Sequence, residues 1–225
     1  PRSVMRLTSG NRHLMVPPAQ PIDPAEARAR ILRAVPPQHL SDEIIENCLA
    51  PVIDDLQQKL MGSAKVDHII EMGTPHEDPD VSIVVPLYRV LGFLRAQVGA
   101  FACDPWVAKN CDLIFVLDSP EQVEECEHLL RGLHILYGIP MRLVVMTRNG
   151  GYARACNAGA EVARSHLLAM LNSDVIPHTP GWAQGLASKM GGPQEVAAVG
   201  PKLLFEDGSI QHAGMYFAPN ESGNA

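Results

Sequence analysis

Between residues 81 and 200, five short apolar runs alternate with helical patterns: VSIVV (81–85), DLIFVL (112–117), RLVVM (142–146), LLAML (167–171) and VAAVG (196–200). Near-continuous β-branched and aliphatic runs, rather than alternating ones, belong to strands covered on both faces. Strand and helix in alternation imply an α/β fold with a mostly parallel, Rossmann-like central sheet flanked by helices, in which ligands lie beyond the carboxyl ends of the strands. Ser119 as cap and Pro120 at the first position open one of these helices, which should end near Gly138. Thr179 and Pro180 repeat the device.

Upstream the pattern differs. Residues 1–23, with Pro1, Pro17, Pro18 and Pro21, read as an irregular tail or linker. A helix is expected from Pro24 to Val35, stopped by Pro36 and Pro37. A second begins at Ser41. Its Ile44, Ile45, Cys48, Leu49, Val52, Ile53, Leu56 and Leu60 repeat at three and four residues as one buried stripe, with a kink at Pro51 and a stop at Gly62. The breaker-rich EMGTPHEDPD at 71–80 reads as a hinge. The expected division is therefore a helical segment over 24–75 and an α/β domain over 80–225.

The 18 Lys and Arg against 25 Asp and Glu give a net charge of -7, without basic clustering, which disfavours a nucleic-acid partner. Every apolar run is far shorter than the roughly 18–20 residues a transmembrane helix needs, so none is expected within these residues. Cys48, Cys103, Cys111, Cys126 and Cys156 form no C-x-x-C pair and read as reduced, buried thiols of a cytoplasmic protein. Opening at Pro1, without an initiator Met, the chain is expected to have a native start further upstream.

The strand ends hold the candidate chemistry. The first strand runs into Pro86, Leu87 and Tyr88, and the second into Asp118. A carboxylate there can accept hydrogen bonds from a base or ribose, and a Tyr ring can stack on a base. Asp118 as part of an Asp-Ser-Pro helix start, and Tyr88 as packing, are equally good readings. After the third strand come Arg148, Asn149, Gly150, Gly151 and Tyr152, then Asn157 and Gly159. Paired glycines before a helix permit close approach of phosphate, although a plain strand-to-helix turn uses the same residues. The spacing matches neither G-x-G-x-x-G nor a P-loop. The fourth strand ends in Asn172, Ser173 and Asp174. Asp174 could hold Mg²⁺ or Mn²⁺ on a diphosphate, or simply cap the turn toward Pro177. Asp78 and Asp80 read as solvated linker, and Trp106 and Trp182 as packing. His178 and His212 lie near the ligand edge, where a lone His is more often structural or solvent-facing than a ligand or base. Arg148 and Arg154 could reach a diphosphate, with surface solvation the default for either.

Taken together, VSIVVPLY (81–88), VLDSPE (116–121), NGGYARACNAG (149–159), LLAMLNSDV (167–175) and VGPKLLFEDGSIQHAG (199–214) resemble the nucleotide-sugar glycosyltransferases of family 2, which have the GT-A fold, and among them the bacterial rhamnosyltransferase-like branch. The resemblance covers residues 80 to about 217. It implies that Pro86, Tyr88 and Asp118 line a nucleoside pocket. Arg148, Asn149, Gly151, Asn157, Asn172 and Ser173 would border the nucleotide and its diphosphate. Asp174 would hold Mg²⁺ or Mn²⁺, with Asn172 replacing the first aspartate of the metal motif. The implied partners are a UDP, dTDP or GDP sugar donor and a glycan or lipid-linked acceptor. The implied location is cytoplasmic, with peripheral attachment at the inner membrane for a membrane-bound acceptor. The implied reaction is an inverting displacement. Its general base belongs to a later acidic motif that has no match before Ala225, so the acceptor-side part is expected to be missing. Glu206 and Asp207 fall in an expected hairpin turn, FEDGS. The alternative is a non-catalytic nucleotide-sugar-binding or scaffold module docking on a partner through its N-terminal helices. A nucleotidyltransferase ranks last, for want of a Gly-rich, Lys- or Arg-containing loop after the first strand.

Overall fold

The computed structural model describes residues 23–34, 41–190 and 196–214. The expected tail before Asp23, the stop at Pro36 and Pro37, and the NESGNA ending lie outside the described residues. The chain divides into two compact units, one to Ser63 and one from Ala64.

In the first unit, α1 (Pro24–Ala34) packs on α3 (Ala50–Ser63), and Arg28 donates to Gln57 Oε1 at 2.9 Å. Ser41 caps α2 (Asp42–Ile44) by accepting the Ile44 amide. Between α2 and α3 the chain widens into a π-helical turn, Ile45–Leu49. This is where a kink was expected. Pro51 offers no N–H and its ring crowds the preceding turn, so the helix expands instead of breaking. The expected buried stripe is only partly covered: Leu49, Ile53 and Leu56 are half-buried, while Ile44, Ile45 and Val52 are exposed.

The second unit is built on a five-stranded sheet in the order β1-β4-β3-β2-β5, from β1 (Val66–Met72), β2 (Val81–Leu87), β3 (Cys111–Leu117), β4 (Met141–Met146) and β5 (Leu168–Met170). All pairs are parallel except β1 with β4. β1 corrects the expected helical segment over 24–75, since residues 66–72 are strand. VDHIIEM is an edge strand with only Met72 buried, so its apolar residues never form the run that marks a covered strand. It is held by main-chain pairing and by a reciprocal tie in which Thr147 N donates to Lys65 O and Lys65 N to Thr147 Oγ1.

Two further expectations are corrected. VAAVG at 196–200 forms no strand; from Ala197 to Gly200 it is exposed, so it never makes the burial that would hold it in a sheet. LLAML shortens to β5, which is not covered on both faces, with Leu168 and Met170 exposed. Downstream, β6 (Leu203–Leu204) and β7 (Ile210–His212) make the expected hairpin, turned at Gly208 with φ +81°.

The helices of this unit are α4 (Leu94–Ala102), α5 (Pro105–Asn110), α6 (Val123–Tyr137), α7 (Tyr152–Glu161) and α8 (Trp182–Met190). A 3₁₀ turn, Pro120–Gln122, precedes α6, which ends as expected in left-handed Gly138. Ser119 sits at the cap position but makes no capping bond; its hydroxyl accepts the Arg89 amide and donates to Gln122 Oε1. Thr179 and Pro180 do not open α8. The chain turns at Gly181, whose amide is bound by Asp104 Oδ2 at 2.7 Å.

Period-two alternation along the central strands sends Ile83, Val85 and Leu87, Leu113, Phe115 and Leu117, and Leu143 and Val145 to one face, packed with Leu94, Val98, Phe101 and Leu130. Val84, Ile114, Val116, Val144 and Met146 meet Ala155 and Ala158 of α7 on the other. Trp182 stacks on Phe101 with centroids 6.5 Å apart, a packing role. Across the amino half of the sheet Ser82 donates to Asp112, which also forms a buried ion pair with Arg142. Cys111, Cys126 and Cys156 are buried, with burial pushing the Cys111 and Cys126 thiols up to about 12; Cys103, against expectation, is exposed.

Small residues let α7 approach the sheet. A Cβ at Gly159 would lie 2.3 Å from Val84 Cγ1, so Gly159→Ala should lower unfolding free energy by about 1–3 kcal/mol. Exposed Gly132 in α6 has no atom within 4 Å of such a Cβ, and Gly132→Ala should raise stability by about 0.5–1 kcal/mol. Denaturant titration of both variants checks the contrast.

Candidate functional site

The sheet order reverses at β2: the chain steps from β2 to β3 to β4 in one direction, then returns to place β5 on the other side. Such a switch point opens a crevice at the carboxyl edge. A cavity of about 500 Å³ lies there. Pro86, Leu87 and Tyr88 from the end of β2, with Val90 and Phe93 from the loop before α4, form an apolar wall. Asp118 stands at the end of β3. Asn149, Gly151, Tyr152 and Ala155 enter from the turn after β4 and from α7, and Asn172, Ser173 and Asp174 from the turn after β5.

Asp118 is almost fully buried. Its two carboxylate oxygens accept the amides of Gly150 and Gly151, each at 2.8 Å. Gly151 N also donates to Asn149 Oδ1 at 2.9 Å. Asp118 is therefore a clip on the glycine turn rather than a helix cap, and the glycine amides that phosphate could have used are occupied by it. Burial raises the Asp118 pKa above its ordinary 3.8, opposed by the two amides. Each glycine has its own reason: a Cβ at Gly150 would sit 2.8 Å from Ala64, and Gly151 has φ +83°.

The turn after β5 is closed by Val175 N donating to Asn172 O at 3.1 Å. Gln97, fully buried in α4, braces it by donating Nε2 to Asn172 O at 3.0 Å and to Val175 O at 2.8 Å. Tyr152 Oη donates to Asn172 Oδ1 at 3.0 Å, which ties α7 to this turn. Burial and the neighbouring Cys156 hold the Tyr152 pKa up.

Of the expected site residues, the structure brings Pro86, Tyr88, Asp118, Asn149, Gly151, Asn172, Ser173 and Asp174 to one cavity. Arg148 and Asn157 are exposed and do not line it. Arg154 turns to Ala64 O and Glu161, so it is not in reach of the cavity. His178 and His212 are exposed outside it. The cavity residues beyond those expected are Leu87, Val90, Phe93, Tyr152 and Ala155, with Gln97 bracing the turn after β5. Gln97 carried a usable signal, a lone amide on the apolar stripe Leu94, Val98 and Phe101.

Residues 82–214 match the family model described as glycosyl transferase family 2. The chain belongs to that family. It is 42% identical over 139 residues to the O-antigen biosynthesis protein RfbC of Myxococcus xanthus, an alignment covering 61% of this chain and 10% of that protein. It is 30% identical over 139 residues to the uncharacterized protein y4gI of Sinorhizobium fredii (strain NBRC 101917 / NGR234), covering 61% of this chain and 15% of that one. The chain thus spans about a tenth to a seventh of these relatives' length. Among solved structures, a mannosyltransferase from Pyrobaculum calidifontis in complex with GDP-Man and Mn²⁺ is similar with a TM-score of 0.47 and 15% identity, over 75% of this chain and 44% of that one. TarS of S. aureus is similar with a TM-score of 0.39 and 14% identity, over 49% and 19%.

The turn after β5 in this family 2 chain offers Asp174 and the Ser173 hydroxyl to a cation, while both oxygens of Asn172 are already engaged. Among the described residues no group of three His, Cys, Asp or Glu could hold a metal. A donor set this small fits Mg²⁺ or Mn²⁺ arriving with a diphosphate, which brings the remaining oxygens, and does not fit an all-protein cage.

Replacing Asp118 tests the clip. Asp118→Asn turns an N–H donor toward the glycine amides and should cost about 1–3 kcal/mol of unfolding free energy. The native carboxyl holds its proton more tightly than the unfolded one. The part of the Asp118 contribution that depends on pH, set by burial, is therefore fully present below pH 3.8 and is lost as pH rises through the raised value, while the two amide bonds to the carboxylate remain. The wild-type minus Asp118→Asn difference, followed by denaturation across that range, should shrink as pH rises.

Proposed function

We propose that this chain is the donor-binding part of an inverting, metal-assisted glycosyltransferase of the rhamnosyltransferase-like branch, taking a sugar from a UDP, dTDP or GDP donor to a glycan or lipid-linked hydroxyl acceptor. One observation carries the reading: a cavity at the switch point brings together the apolar Pro86, Leu87, Val90 and Phe93, the Tyr88 ring and the turn that carries Asp174. Tyr88 stacks the base, while Asp118 holds Gly150 and Gly151, and Gly151 in turn donates to Asn149. Asp174 holds Mg²⁺ or Mn²⁺ together with the diphosphate, with Ser173 beside it. When bound, that cation supplies charge stabilisation to the departing nucleoside diphosphate. Inversion means that the acceptor oxygen bonds to the anomeric carbon as the bond to the diphosphate oxygen breaks, and the acceptor proton passes to a base. A bacterial, cytoplasmic enzyme of this kind could work peripherally at the inner membrane. No helix of the described residues is long and apolar enough to cross a membrane.

A second reading, a non-catalytic binding or scaffold module, is favoured by two observations. The hairpin-turn acid Asp207 is taken by Ser209, whose amide and hydroxyl hold its carboxyl below the usual carboxylate range, and Glu206 sits in the same exposed turn. In the first unit Ile44, Ile45 and Val52 are exposed, as a docking helix would need. Sugar transfer by this chain, or by a protein that contains it, would exclude that reading.

Calorimetric titration with UDP, dTDP and GDP, each with and without Mn²⁺, tests the donor site. One nucleotide should bind in a metal-dependent way, and Asp174→Ala should weaken it roughly 10-fold or more with Mn²⁺ present and little without. Equal metal dependence in the variant would remove Asp174 from the site.

A further inference from the structure

We infer that Arg89 is the positioning residue that holds the Tyr88 ring in place as the stacking platform for the donor's base, a role that rests on the donor-site reading above. Among the described residues Arg89 is the one non-glycine with a left-handed backbone, φ +60°. Side chains other than Asn and Asp rarely adopt that conformation, so something must hold it there.

Four hydrogen bonds do. Val90 N donates to Tyr88 O at 2.7 Å and closes a three-residue turn centred on Arg89. The Arg89 amide donates to Ser119 Oγ at 3.2 Å, Gln122 Nε2 donates to the Arg89 carbonyl at 3.2 Å, and Ser119 Oγ donates to Gln122 Oε1 at 2.9 Å. The result places the guanidinium carbon 5.0 Å from the centroid of the Tyr88 ring, within cation–π range. Glu121 lies 4.0 Å from Arg89 Nε with both side chains exposed, a contact too weak to set the geometry.

Tyr88 lines the cavity and Arg89 does not, so the guanidinium covers the ring from outside and leaves its remaining surface to a ligand. A ring on a loop, 46% exposed, would otherwise keep rotamer freedom that binding must remove. Backing it with a cation presents a preorganised face. Stacking reads the π-face of a base, so the effect belongs to the nucleoside and not to the diphosphate.

The test titrates the full chain with UDP, dTDP and GDP, with the matching nucleosides, and with inorganic diphosphate plus Mn²⁺. The variants are Arg89→Asn, which tolerates the left-handed backbone, Arg89→Lys, which keeps a cation, and each of these on a Tyr88→Ala background. Arg89→Asn should weaken nucleoside and nucleotide about 2- to 5-fold, leave inorganic diphosphate unchanged and lose its effect when Tyr88 is absent, while Arg89→Lys should recover most of the affinity. Unaltered nucleoside affinity, a loss confined to diphosphate, or a loss that persists without Tyr88 would overturn the inference while leaving the donor site standing. Failure of the wild-type chain to bind any nucleotide or nucleoside would overturn both.

Discussion

The carboxylate of Asp118 is the tie on which the open edge of the sheet depends. It leaves β3 and binds the two glycine amides that follow β4, so two neighbouring strands end at a fixed offset. Gly151 is the residue before α7, and α7 is the helix that covers the second face of the sheet. One buried side chain thus sets both the far wall of the cavity and the entry angle of a core helix. The next residue extends the tie, because the Ser119 hydroxyl accepts the Arg89 amide and so fixes the loop that follows β2. The Asp118–Ser119 pair holds the loops on either side of β3, and Tyr88 and Asn149 face one cavity as a consequence.

The two ends of the sheet are treated differently. Toward the amino ends Ser82, Asp112 and Arg142 face one another across β2, β3 and β4, with register pairing Ser82 to Asp112 and Arg142 to Ile114. Every strong polar group there has a partner within the sheet; Ser82 Oγ also accepts the amides of Arg164 and Ser165. A buried pair closed in this way adds little net stability but is costly to break, and it fixes which strands are neighbours. At the carboxyl ends the polar groups are braced from behind and leave surface for a ligand. Gln97 shows the contrast within one side chain: its amide nitrogen holds the Asn172–Val175 turn, while its buried Oε1 has no partner among the described residues.

What the sequence made legible follows from where burial is strong. β2, β3 and β4 are covered on both faces, so their apolar runs stand out, and the residues just beyond them could be named in advance. β1 could not, because an edge strand with one half-buried side carries the polar residues Asp67, His68 and Glu71 among its apolar ones and leaves no run to set it apart from the helical segment before it. VAAVG misled for the opposite reason, since composition alone suggested a strand that no burial supports. The site divides along the same line. Residue types at strand ends pointed to Tyr88, Asp118 and Asp174, whereas the partner of Asp118 was invisible. The carboxylate of an Asp-Ser-Pro turn gives no sign that its oxygens will accept the amides of glycines 32 and 33 residues later.

The cavity is chemically lopsided, and this bears on how a donor would lie in it. Pro86, Leu87, Val90 and Phe93 offer no polar side chain, whereas the turn after β5 offers a carboxylate, a hydroxyl and an amide. A ligand with a flat, weakly charged end and a strongly charged middle gains most by placing the first against the wall and the second against the turn, since a diphosphate left on the apolar side would lose hydration without replacement. The Tyr152 hydroxyl sharpens this division. It holds Asn172 Oδ1, so the amide nitrogen of Asn172 remains the donor available to an anion, and the residue acts as a hydrogen-bond donor where an aspartate would have been an acceptor. With one carboxylate in place of two, the turn carries less negative charge to hold a cation but also less to repel a diphosphate. Cation and diphosphate are then expected to enter together, each making the other's binding favourable.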